Sequence, residues 1–72
     1  MTEPDGVQLY FIDAAVAAVH SAELMLKQKR KGKAQEHILS AMYFAAKVNN
    51  ADLPDDFENK LKAVQNLSLI HI

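Results

Sequence analysis

Three stretches of the chain carry apolar residues at helical spacing, and the last residues, 67–72, lean toward β and lack the helical stripe. The first runs from Val7 to about Lys31 without proline and is rich in Ala, Leu and Met, all good helix formers. Its apolar positions fall into three rows rather than one: Leu9, Ile12, Val16, Val19 and Leu26; Phe11, Ala15, Ala18, Ala22 and Met25; Tyr10, Ala14, Ala17 and Leu24. Only Asp13, His20, Glu23, Lys27 and Lys31 form a polar stripe. A helix that is apolar nearly all round is normally covered on most sides. Two further helices of one small chain do not cover it, so the spare surface is expected to meet a second copy, another protein or helices absent from this chain. The alanines at 14, 15, 17, 18 and 22 permit close helix approach.

The second helix is expected over about 33–48, with Ala34, Ile38, Ala41, Met42, Ala45 and Val48 as its inner stripe. Gly32 is read as the residue just past the end of helix one, behind the dipole-complementing Lys29, Arg30 and Lys31. Asn49-Asn50 stops helix two. The third helix is expected over about 55–67, with Phe57, Leu61, Val64 and Leu67 inward and Pro54 at or before its first turn. Asp55 with Glu58, and Asp5 with Gln8, have capping-box spacing. Residues 1–6 read as an exposed lead-in. The expected fold is all-α: an antiparallel hairpin plus a third helix, up-down-up, completed by self-association or by missing residues into a four-helix bundle.

Composition narrows this picture only a little. The chain has 72 residues, half of them apolar, a net charge of −1 and no cysteine. A core of that size is marginal and has no disulfide to help it. Thiolate metal sites and cysteine nucleophiles are excluded. Asp13, His20 and Glu23 interrupt the longest apolar run, so no membrane span is expected, and the acidic N-terminus is unlike a basic leader. A cytoplasmic setting follows as the default.

Candidate chemistry is sparse. Lys27, Lys29, Arg30, Lys31 and Lys33 form a basic cluster able to contact nucleic-acid phosphates, although no aromatic lies among them to stack a base. The same cluster also reads as a solvated hairpin tip. Asp13, His20, Glu36 and His37 lack the Glu-x-x-His spacing of carboxylate-histidine bundles, so neither metal nor cofactor is expected. The reading favoured by the apolar excess is a non-enzymatic interaction module, homo-oligomeric or bound to a helical partner. Its candidate interface residues are Leu9, Phe11, Ile12, Val16, Val19 and Tyr43. Tyr43 and Phe44 are adjacent on helix two, so one packs inward and the other lies at the edge.

Three resemblances bear on this reading. Arg30 and His37 resemble the Arg-x(4–6)-His pattern of HEPN-type ribonucleases, which implies action on an RNA backbone, but here the pattern straddles Gly32. Leu9-Tyr10, Ala34-Gln35 and Asp55-Asp56-Phe57 resemble, in order, elements of flagellar export chaperones. That likeness covers about residues 9–67 and implies an antiparallel four-helix bundle that binds a helical partner. Finally, Leu67-Ser68-Leu69-Ile70-His71-Ile72 resembles one translated frame of a transposase-type sequencing adapter. It is read as a non-native tail on a metagenomic reading frame, with the natural chain expected to continue past about Asn66.

Overall fold

The computed structural model describes residues 6–68, and the Asp5 half of the Asp5–Gln8 capping box lies outside them. These residues form three α-helices: α1 Gly6–Lys27, α2 Lys31–Ala45 and α3 Phe57–Ser68, with a short 3-10 turn at Asn50–Asp52 before α3. The fold is all-α, as the spacing of apolar residues predicts.

Two buried clusters set the arrangement. Ala15, Ala18, Val19, Ala41 and Phe57 form one, with Phe44, Ala45, Leu53 and Leu61 packed on it. Ala22, Ile38 and Val64 form the other, flanked by Leu26, Met42 and Leu61. Between the clusters α1 and α3 advance in number while α2 retreats, so α2 runs against both neighbours. Five of the nine buried apolar residues are alanines, so the core is thin and the helices approach closely. Polar groups clasp the α2–α3 seam. The Gln35 side-chain amide donates to the Ser68 carbonyl at 2.9 Å, and Gln65 donates to the Met42 sulfur at 3.4 Å.

The turn between α1 and α2 departs from the sequence expectation. Helix α1 stops at Lys27 rather than Lys31, and Gly32 lies inside the first turn of α2 with no positive φ. The left-handed position is filled by Lys29, at φ 62°. Around it the Lys29 N–H donates to the Leu26 carbonyl at 3.0 Å, and the Arg30 N–H donates to Met25 at 2.8 Å. This paired closure is a Schellman end, displaced three residues upstream of the glycine that usually marks it. A side chain in that conformation costs about 1–2 kcal/mol, which glycine relieves in part. Lys29→Gly is therefore expected to stabilise the fold by about 0.5–1 kcal/mol. A Cβ at Gly32 would meet nothing within 4 Å. Gly32→Ala is expected to stabilise it by a similar amount, about 0.5–1 kcal/mol. Urea denaturation checks both. A loss of stability in Gly32→Ala would restore Gly32 as the helix end.

The other boundaries shift less. Helix α2 ends at Ala45 rather than Val48, where Lys47 and Val48 donate to carbonyls three residues back. Before α3, the Phe57 N–H donates to the Pro54 carbonyl at 3.0 Å, a separate turn that delays the helix to Phe57. Leu67 and Ser68 continue α3 instead of breaking from it, and Ser68 is buried, its hydroxyl donating to the Gln65 carbonyl at 3.2 Å. Residues 69–72 of the expected tail lie outside the described residues.

Candidate interaction surface and basic turn

Helix α1 positions the main candidate surface. Its inner side is the row Ala15, Ala18 and Ala22 together with Val19, and everything beyond these four residues is open or half-open. By length and composition alone α1 is apolar enough to cross a membrane, a test that the core helix of a soluble protein also passes, so its interruptions do not by themselves exclude a span. Two acidic residues, Asp13 and Glu23, do not offset the Ala, Val, Leu and Ile around them. Only 22 % of its most apolar stretch is buried within the fold.

The outward residues make a continuous face. Leu9 is 51 % exposed, Tyr10 62 %, and Val16 and Leu24 each 40 %. Ala17 is exposed between them, along with Asp13 and His20. Of the sequence candidates, Leu9 and Val16 lie on this face and Ile12 is half-buried at its margin, whereas Phe11 belongs to the inner row of Ala15, Ala18 and Ala22 and packs against Phe44, so it is withdrawn from the surface. Val19 is buried in the core at 3 % exposure, so it is withdrawn from the surface. A row of i, i+3 and i+4 steps drifts round the helix, and the ten residues from Leu9 to Val19 turn it by about 80°.

At the N-terminal end of α1 an aromatic cluster bridges to α2. The Tyr10 and Phe44 rings lie 6.4 Å apart, Phe11 and Phe44 6.1 Å, and Tyr43 and Phe44 5.5 Å. Phe44 packs on the core, whereas Tyr43 is the outward member at 59 % exposure, with the Lys47 ammonium 4.8 Å from its ring centroid. Sequence spacing missed Tyr10 and Leu24 as surface residues. Their shared heptad with Ala17 was the available signal.

The opposite end of the bundle is basic. Lys27, Lys29, Arg30, Lys31 and Lys33 are all exposed around the α1–α2 turn. Lys33 reaches Glu36 at 3.9 Å, and among the described residues the other four have no ion pair. Beside them an open groove of about 740 Å³ has Leu26, Val64 and Leu67 on its apolar side and Lys27, Lys29 and Lys31 along its rim. Four acidic residues gather around the loop before α3 and its first turn. There Asp56 pairs with Lys60 at 3.3 Å and Glu58 with Lys62 at 3.0 Å, leaving Asp52 and Asp55 unpaired among the described residues.

Among the described residues no three His, Asp or Glu side chains gather as a metal site. Arg30 lies in the turn and His37 is half-buried on α2, and no hydrogen bond or ion pair joins them. No protein family, curated protein or solved structure shows a significant match to the chain. The likenesses to export chaperones and to HEPN-type ribonucleases therefore stand on the residues quoted above alone.

Proposed function

We infer that this chain is a non-enzymatic helical interaction module that binds itself or a helical partner through the outward apolar faces of α1 and α2. One observation carries the reading: α1 has the apolarity of a covered helix, yet 22 % of its most apolar stretch is buried within the fold. Scattered surface leucines are ordinary, but a contiguous face rimmed by polar residues marks an interaction site. Leu9, Tyr10, Val16 and Leu24 form a contiguous patch around Asp13 and His20, and Tyr43 adds an aromatic anchor at its α2 edge. Replacing Leu9, Val16 and Leu24 together by Gln tests it. The variant is expected to keep its helical circular dichroism and to lose association and dye binding. Undiminished association in the folded variant would move the interface elsewhere.

A second reading, a small nucleic-acid-associated protein, is favoured by the four cations at the α1–α2 turn that have no ion pair among the described residues. Contacts of this kind are salt-sensitive and indifferent to sequence. If they operate, changing Lys29, Arg30 and Lys31 to Gln lowers RNA or DNA affinity and removes up to about three from the slope of log affinity against log salt. The absence of binding by the unaltered chain at low salt would retire this reading.

A further inference from the structure

The charged residues within the α1 face say what covers it. Asp13 is exposed among Leu9, Tyr10, Val16 and Ala17, and has neither hydrogen bond nor ion pair among the described residues. Any partner that covers this face must give the carboxylate a donor, because an unpaired charge at a closed interface is costly. His20, also outward, lies 3.9 Å from Glu23, longer than a hydrogen bond, and lines a shallow cleft with Asp56 and Lys60 of the α3 side. Asp13, Ala17, His20 and Leu24 recur at i, i+4, i+7 and i+11, so they share one side of the helix.

Their spacing is nearly symmetric about Ala17. Asp13 lies four residues before it and His20 three after, about 6 Å and 4.5 Å along the axis. Leu9 and Tyr10 precede it by eight and seven residues, and Leu24 follows by seven. We propose that α1 packs antiparallel against α1 of a second copy, with the two-fold axis at Ala17 and Asp13 of each chain facing the partner's His20. The imidazole N–H donates to the carboxylate, once on each side of the axis. Leu9 and Tyr10 of each copy meet the partner's Leu24, and the small Ala17 lets the helices close at the centre. Such an isologous interface needs one self-complementary patch, which this face is. The two-fold axis also reverses the long axes of the molecules. It brings the basic turn of each copy, with Lys27, Lys29, Arg30 and Lys31, to the end where the other carries Asp52 and Asp55.

The proposal rests on the interaction-module reading, and its test separates the two. Asp13→Lys and His20→Glu are each expected to weaken the dimer about tenfold, because symmetry doubles every change. The double variant restores it to within about threefold. As the chain has no cysteine, Ala17→Cys gives a single thiol on the axis. It is expected to be joined to its copy by a short bis-maleimide, whereas the exposed Ser40→Cys on α2 is not. A dimer without rescue or Ala17 cross-linking overturns this geometry but keeps self-association. A dye-binding monomer overturns the dimer while leaving another protein or a lipid surface to cover the face. A monomer that binds no dye overturns both.

Discussion

Phe57→Ala is expected to cost about 3–5 kcal/mol, the usual range for removing a buried aromatic. Phe57 begins α3 and is buried against Ala15, Ala18, Val19 and Ala41. Those neighbours have short side chains and cannot move in to fill the space. A 72-residue domain holds about 4–11 kcal/mol in all, so the substitution removes a large share of it. Among the described residues, helix α3 is otherwise held by Leu61, Val64, the buried Ser68 and the Gln35 and Gln65 contacts. In urea the midpoint is expected to fall steeply, with hydrogen exchange in α3 rising toward that of an unpaired helix. Phe57→Leu, which keeps most of the volume, is expected to lose less than about 1.5 kcal/mol. Equal losses for the two variants would show that Phe57 is not the anchor of α3.

Ile38→Ala comes next, at about 2–5 kcal/mol. Ile38 has no exposed surface, and it is the large side chain that α2 buries fully in the cluster with Ala22 and Val64, beside the partly buried Met42. Leu39, one residue on, is 52 % exposed. Leu39→Ala is accordingly expected to change stability by no more than about 0.5 kcal/mol. The pair is a direct reading of which way α2 faces. Comparable losses at both positions would mean that the helix is rotated from the orientation described here.

Much of this architecture was legible in the sequence. In α2 the buried residues Ala34, Ile38 and Ala41 belong to the predicted stripe, because that helix has a polar side to contrast with them. Phe57 and Val64 do the same for α3, whereas Leu67, expected inward, is 63 % exposed. Helix α1 offers no such contrast. Three apolar rows fit helical spacing equally well, and spacing alone does not choose the inner one. Packing chooses it: the alanine row lets α2 and α3 approach, whereas the bulkier rows would hold them apart. The α1–α2 turn was misplaced for another reason. Glycine is the usual left-handed residue, yet here Lys29 takes that conformation and Gly32 enters α2. Leu9, Val16 and Tyr43 are outward as the candidate interface requires, and Val19 is inward because its row drifts round the helix.

Sedimentation equilibrium of the purified chain, over a range of concentrations and with an apolar-surface dye in parallel, tests the central claim most directly. If the outward face of α1 is an interaction surface that self-associates, the apparent mass rises from 8.0 kDa toward twice that value with concentration, and dye binding falls as it rises. A chain that stays at 8.0 kDa throughout and binds no dye would contradict the account, because its apolar face would then need no partner.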